Sequence, residues 1–163
     1  MEMHTLTTLE LLRTHGAILD ELRRRDVVRS GNSPISDYAE LLFCRAYGWV
    51  RAGNSAAGYD ARDTDTGIRY QIKARRLQTS RGSRQLSALR NLSNDPFDVL
   101  AGVLFNPDFT ILRAALVPIG VVQGRTRRSA HTNSEIFHLR DDVWSLPGVV
   151  DVTPALMAAA GAV

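Results

Sequence analysis

The sequence contains almost no lysine or cysteine. Lys73 is its only lysine, so 19 of its 20 basic residues are arginine. Cys44 is its only cysteine, which excludes an internal disulfide and favours a reducing compartment. It lies in the apolar run AELLFCRAYGW, which indicates buried packing rather than a catalytic thiol. No cysteine and histidine cluster suggests a zinc site. The isolated lysine therefore directs attention to its neighbours, residues 58 to 76.

The sequence also lacks long apolar runs. None approaches the roughly 20 residues that span a bilayer, and the N-terminus shows no signal-peptide core. We therefore expect a cytoplasmic protein with no membrane partner. A length of 163 residues, 44% of them hydrophobic and 23% charged, favours one globular domain. The net charge of +3 is only weak evidence for an acidic partner.

Periodicity predicts an α/β fold with a central mixed sheet of four to five strands flanked by helices. We expect one domain over residues 1–163, with a core at about 33–118, an N-terminal helix at 6–28 and a C-terminal strand and helix within 135–160. The predicted elements between these ends are a buried helix at 34–47 with Ser33 as N-cap, a hairpin at 57–75, a short helix at 84–91, buried strands at 97–105 and 109–118, and a helix or loop at 118–123.

The predicted hairpin places three polar residues on one face. TDTG, residues 64–67, is typical of a turn, and the following strand alternates apolar and polar residues. A turn centred on Asp65 and Thr66 puts Asp60 opposite Gln71, and a register slip of two residues puts it opposite Lys73. Either register leaves all three side chains on one face. A slip of one residue would instead make Asp63 the candidate.

Glu40 stands out because the helix around it is apolar on nearly every side. A carboxylate in such a place is costly unless it is paired, protonated or bound to a metal. The alternative is a capping box from Asp37 to Glu40 that closes the start of the helix. With Asp60, Gln71 and Lys73, Glu40 would complete a metal-dependent phosphodiester cleavage site.

Each residue type suits that chemistry. Mg²⁺ prefers hard oxygen ligands, which Asp60, Glu40 and the Gln71 carbonyl would supply, and Mn²⁺ is an alternative. Lys73 would lie beside the attacking water and stabilise charge that develops on the phosphate. A lysine in a partly buried site has a tunable pKa, whereas arginine stays charged.

These residues resemble the motif of the PD-(D/E)xK, or restriction-endonuclease-like, nuclease superfamily. The match is D-x(10)-QxK, formed by Asp60, Gln71 and Lys73, after a helix that carries Glu40. Glutamine departs from the commonest acidic residue but is similar to the QxK form of the Mrr-like branch, where a G-x-D run precedes the strand. SDYAE, GYDA and YQIKARR also resemble a family of small uncharacterised bacterial proteins assigned to this fold. The resemblance covers about residues 33–118 and implies a nuclease core.

A basic segment follows the lysine. From Arg62 to Arg90 there are eight basic residues and two acidic ones. Such a segment can bind the DNA backbone without reading sequence, although a merely solvated basic loop is the alternative. The predicted DNA contacts are Arg75, Arg76, Arg81, Arg84 and Arg90.

These patterns predict a Mg²⁺-dependent DNA endonuclease, in restriction or other defence or in repair. One site cuts one strand, so double-strand cleavage would need a homodimer or a partner with its own site. A nuclease-like fold kept as a non-catalytic nucleic-acid-binding or assembly module is the main alternative, because Gln71 is neutral. A third is a protein-binding component that binds no DNA.

Overall fold

The computed structural model describes residues 2–29, 33–53, 58–79, 82–129 and 134–162. Within these ranges the chain forms four α-helices, which are α1 (Thr8–Arg24), α2 (Ile35–Tyr47), α3 (Ile119–Arg125) and α4 (Thr153–Ala160). It also forms eight strands, which are β1 (Val50–Arg51), β2 (Ala61–Arg62), β3 (Arg69–Arg76), β4 (Val99–Phe105), β5 (Ile111–Pro118), β6 (Arg127–Ser129), β7 (Ser134–Ile136) and β8 (Val150–Asp151). The predicted α/β class is confirmed.

A mixed sheet of six strands lies at the centre of the described structure, in the order β1-β2-β3-β4-β5-β8. All its neighbours are antiparallel except β3 and β4, which run parallel. β6 and β7 form a separate two-stranded ribbon. The prediction of four to five strands was too low. β1 and β8 have only two residues each, which is too short to show an alternation of apolar and polar residues.

Helices α2 and α4 cover one face of the sheet. Leu42 and Phe43 of α2 are fully buried against Tyr70 and Ile72 of β3. The Trp49 ring stacks on the Tyr70 ring with centroids 3.5 Å apart. The opposite face is covered by α3 and by non-helical segments, whose buried residues include Leu86, Leu89, Phe97, Phe137 and Leu139. The sheet is therefore buried on both sides.

The sequence predictions for the sheet and for its covering helix are largely confirmed. α2, β4 and β5 lie within one or two residues of the predicted bounds, and α4 lies within the predicted C-terminal region 135–160. The predicted cap of α2 is wrong, because the N-cap is Pro34, which makes no side-chain cap hydrogen bond. The first residue of the predicted hairpin, residue 57, lies outside the described residues.

The short helix predicted at 84–91 is wrong. The segment is extended, and the backbone N–H groups of Leu86 and Leu89 donate to the carbonyls of Phe137 and Glu135 at 3.0 and 2.9 Å. It belongs to the long connection between the parallel strands β3 and β4, which must cross one face of the sheet. Pairing with the segment around β7 therefore replaces local helix formation.

Helix α1 forms but is shorter than predicted, and none of its residues is buried. Thr7 and Glu10 close its first turn with a capping box. The arginines at its end pair within the helix, where the Arg24 and Arg25 guanidinium groups each lie 2.7 Å from Glu21. Positive side chains at this end of a helix also interact favourably with the helix dipole. No helix in the described ranges is long and apolar enough to cross a membrane.

Candidate functional site

The hairpin register brings Asp60 and Gln71 together. β2 and β3 pair through Ala61 with Tyr70 and Arg62 with Arg69, so Asp60 lies opposite Gln71. This is the register expected from a turn centred on Asp65 and Thr66. Neither the slip of two residues nor the slip of one residue is observed between β2 and β3. Beyond Tyr70, β3 has no pairing with β2. The candidate site therefore lies where the hairpin separates from the edge of β3.

Asp60 holds this junction with its backbone and its side chain. Its N–H donates to the Tyr70 carbonyl at 2.8 Å. Its Oδ2 accepts the backbone N–H of Ile72 at 2.7 Å and the side-chain amide of Gln71. The carboxylate thus satisfies a strand-edge donor that β2 no longer reaches. Burial raises the pKa of Asp60, while the hydrogen bond from Ile72 and the charge of Lys73 oppose the rise.

Asp63, the alternative acid, remains in the turn. Its Oδ1 accepts the backbone N–H groups of Asp65 and Thr66 at 2.9 and 3.2 Å. These hydrogen bonds lower its pKa and are typical of an aspartate that stabilises a turn. Asp63 is therefore a turn residue, and Asp60 is the acid beside Gln71.

Lys73 is half-buried on β3 and pairs in register with Gly102 of β4. Burial lowers its pKa, and the negative charges of Asp60 and Glu40 oppose this. The positive charge of Arg90 acts in the same direction as burial. The lysine therefore lies within the field of both predicted carboxylates.

Glu40 approaches the same site from α2. Only 15% of its side chain is exposed, and its Oε2 accepts a hydrogen bond from the Arg29 guanidinium at 2.5 Å. Burial raises its pKa, the charge of Asp60 raises it further, and Arg29 and Arg51 oppose the rise. The carboxylate is thus both desolvated and coupled to Asp60.

The capping-box alternative for Glu40 is not observed. α2 begins at Ile35 after Pro34, so Asp37 lies in the first turn rather than at the N-cap. Asp37 instead accepts the Arg29 backbone N–H at 2.8 Å. The two acids of α2 therefore both hold the segment at Arg29, one through its backbone and one through its guanidinium.

Asp60 thus contacts Gln71, and its charge interacts with the charges of Glu40 and Lys73. Burial pushes the pKa values of Asp60 and Glu40 up and that of Lys73 down, so each charged form is disfavoured by its surroundings. Opposed shifts of this kind in neighbouring acids and bases are typical of functional sites. They also mean that an added positive charge near Asp60 and Glu40 would be stabilised.

The donor set fits a hard divalent cation. Among the described residues, no three histidine, cysteine, aspartate or glutamate side chains form a metal-binding group. Asp60 and Glu40 supply only two carboxylates, and the third oxygen would come from the amide of Gln71. That amide now presents its NH₂ to Asp60, and rotation by half a turn would present its oxygen instead. Mg²⁺ accepts few protein ligands because it keeps several waters.

The predicted DNA contacts differ in their surroundings. Arg75 and Arg90 are exposed, and the Arg76 guanidinium lies 4.6 Å from the centre of the Phe109 ring. Arg84 is engaged in an ion pair 2.5 Å from Asp141. Arg81 lies outside the described residues.

Two important neighbours of the site were missed in the sequence. Arg29 pairs with Glu40 across 11 positions, a contact that no local periodicity signals. Gly58 was noted only as part of the G-x-D run. Its φ of +95° and the position of Pro96 explain the glycine, because an added Cβ would lie 2.5 Å from the Pro96 Cβ. The backbone that leads into Asp60 therefore passes too close to Pro96 for any side chain.

No model of a known protein family matches the sequence, and no curated protein is significantly similar to it.

Gly58→Ala tests the close approach beside Asp60. We expect it to lower the free energy of unfolding by about 2 kcal/mol or more, since both positive φ and overpacking are costly for a residue with a Cβ. The matched control is Gly120→Ala in α3, where an added Cβ meets nothing within 4 Å. The control should be neutral or stabilising by up to about 1 kcal/mol in urea unfolding. Equal stability of the two variants would contradict the close contact with Pro96.

Asp60→Asn tests the cost of the buried charge. Because the folded-state pKa of Asp60 is raised, its charged form destabilises the fold at neutral pH. As pH falls through that raised pKa, the folded wild type takes up the proton first and the penalty disappears. In metal-free buffer, Asp60→Asn should therefore melt a few degrees above wild type at pH 7, and the difference should shrink toward the ordinary aspartate pKa of about 4.

The control for this experiment is Asp65→Asn, because Asp65 is exposed in the turn. Its melting temperature should follow that of wild type across the same pH range. A melting temperature for Asp60→Asn below wild type at pH 7 would show that Asp60 stabilises the fold in its charged form.

Proposed function

We propose that this protein is a metal-dependent DNA endonuclease of the PD-(D/E)xK, restriction-endonuclease-like type with a QxK motif. The observation that supports the proposal is the meeting of Glu40, Asp60, Gln71 and Lys73 where the hairpin leaves β3. Two desolvated carboxylates and an amide oxygen can hold a divalent cation, and an amine can stabilise the charge that develops when a phosphodiester is hydrolysed.

Asp60, Glu40 and the Gln71 amide oxygen would hold Mg²⁺, or Mn²⁺ in its place. The bound cation supplies Lewis-acid stabilisation of charge on the phosphate. The Ile72 N–H would keep Asp60 oriented when the Gln71 amide turns its oxygen toward the cation. Glu40 would exchange its bond to Arg29 for the cation.

Lys73 would stabilise negative charge that develops around the attacking water and the phosphate. Its position in the field of Asp60 and Glu40 favours the charged ammonium, while burial keeps its pKa below the usual lysine range. The group can therefore donate a proton more readily than an exposed lysine. Arginine could not reproduce this role, because its guanidinium is larger and does not deprotonate.

The substrate side of the proposal is the basic segment after Lys73. Exposed Arg75, Arg76 and Arg90 would contact DNA phosphates, and Arg81 and Arg84 remain predicted contacts. Such binding is independent of sequence and weakens with salt. One site cuts one strand, so double-strand cleavage would need a homodimer. We place the activity in the cytoplasm, in restriction or other defence or in repair.

A second candidate is a nuclease-fold module that binds nucleic acid without cutting it. Gln71 is neutral, and Arg29 already compensates Glu40 at 2.5 Å. Such a module would bind DNA with an affinity that falls steeply with salt, and it would leave DNA intact with both Mg²⁺ and Mn²⁺.

Plasmid cleavage separates the two candidates. The wild-type protein with Mg²⁺ or Mn²⁺ should nick supercoiled DNA, as followed by gel electrophoresis. Asp60→Ala, Lys73→Ala and Lys73→Arg should each lower the rate by about 10²-fold or more, because each removes a group that stabilises the transition state.

The matched control is Asp65→Ala, which removes an exposed carboxylate from the turn of the same hairpin. It should cut at the wild-type rate. Equal cutting by wild type and all the site variants would identify a contaminating nuclease. No cutting by wild type, together with salt-sensitive DNA binding, would favour the non-catalytic module.

A further inference from the structure

An apolar groove of about 960 Å³ lies between α1, the start of α2 and the end of β3, and we call it the α1 groove. Its apolar walls come from both helices and from the turn between β4 and β5. The residues that matter here are Ile18, Leu19, Leu22, Ile35, Tyr38 and Phe109. The groove is separate from the Asp60 and Lys73 site, although both lie along β3.

Helix α1 contributes apolar side chains to one wall of the groove, and the described residues leave these side chains partly exposed. Its side chains are all at least partly accessible, and Ile18 is 47% exposed. Leu11 and Leu12, a turn or two earlier, are 40% and 64% exposed. Several exposed large apolar side chains on one helix are typical of an interaction site.

The floor of the groove includes an open strand edge. The Asp60 N–H donates to the Tyr70 carbonyl, and the Ile72 N–H donates to the Asp60 carboxylate. The backbone N–H and C=O groups of the even-numbered residues of β3 therefore point away from β4. β2 pairs only with Arg69 and Tyr70. Within the described ranges nothing bonds to the outward backbone groups of Ala74 and Arg76, which line the groove. They are available to an added strand.

The basic side chains that line the groove in the described ranges are arginine and histidine. Arg25, Arg45, Arg75 and Arg76 line it, and among the described residues no aspartate or glutamate does. Arg25 pairs with Glu21 at 2.7 Å. In the part of the chain that the structure describes, the other three guanidinium groups have no carboxylate within 4.0 Å. An occupant with acidic side chains would supply the missing partners.

We propose that the α1 groove binds an extended acidic segment of a partner protein. The segment adds a strand to β3 at Ala74 and Arg76, packs alternate apolar side chains against Ile18 and its neighbours, and pairs its carboxylates with Arg75 and Arg76. Alternation suits a strand, because successive side chains point to opposite faces. This proposal does not depend on catalysis.

Two other occupants fit the groove less well. A second copy related by a two-fold axis would bring two arginine rims together, which is unfavourable. Nucleic acid bases need open aromatic faces, but the Tyr38 ring stacks on Phe105 with centroids 5.6 Å apart and Arg76 covers Phe109. Aliphatic walls with a basic rim favour a protein segment.

Fluorescence anisotropy with labelled peptides tests the proposal. The probe is a short peptide that alternates valine and glutamate, and its comparison replaces every glutamate with lysine. The acidic peptide should bind saturably to the full chain, and the basic peptide at least about tenfold more weakly. Failure of the acidic peptide to saturate would overturn the proposal.

The variants form matched pairs. Ile18→Glu puts a carboxylate in the groove and should weaken binding about tenfold, whereas Leu9→Glu, exposed on α1 outside the groove lining, should change it less than about twofold. Ala74→Pro removes one outward N–H without touching the bonds to β4 and should weaken binding similarly.

Three results would contradict the proposal. Equal losses from Ile18→Glu and Leu9→Glu would exclude the groove as the binding site. Unchanged binding by a folded Ala74→Pro variant, as checked by circular dichroism, would exclude strand addition. Tight binding of a labelled single-stranded oligonucleotide that is lost in Ile18→Glu would identify the groove as a nucleic-acid site.

Discussion

The structure around the candidate site depends on one hydrogen bond, from the Ile72 backbone N–H to the Asp60 carboxylate. The Asp60 carboxylate takes the place of a backbone acceptor from β2, because β2 pairs only with Arg69 and Tyr70. The bond thereby fixes the hairpin against β3. The same carboxylate orients Gln71 and faces the charge of Lys73. Burial raises its pKa, so the folded protein disfavours the charged form of Asp60. A group that lowers the stability of the fold at such a position is typical of a functional site.

The hairpin shows how far the sequence could predict the site. A two-residue period and the TDTG turn predicted the register that joins Asp60 to Gln71 as one of two alternatives, and the pairing of β2 with β3 selects it. The apolar residues that surround Glu40 in the sequence correctly indicated that its carboxylate is partly shielded from water. The approach of Pro96 to Gly58 and the pairing of Arg29 with Glu40 could not be predicted, because both join segments whose relative position only the folded chain defines. The extended segment at 84–91 was missed for the same reason, since its partners lie near β7.

Strand β3 has different roles along its length. Gln71 and Lys73 contribute to the candidate catalytic site, while Ala74, Arg75 and Arg76 form one wall of the α1 groove. The change occurs because β2 pairs with only the first two residues of β3 and leaves the later edge open. If both proposals hold, a protein segment bound in the groove would cover arginines that DNA also needs, and the two partners would compete.

Central to the proposed function is the binding of a divalent cation by Asp60 and its neighbours. Isothermal calorimetry with Mn²⁺ tests it most directly, because binding is measured without any substrate. The wild-type protein and Asp63→Asn, which changes only the turn acid, should show one binding event per chain, and Asp60→Asn should show none. Absence of Mn²⁺ binding by wild type, or equal binding by Asp60→Asn, would contradict the account.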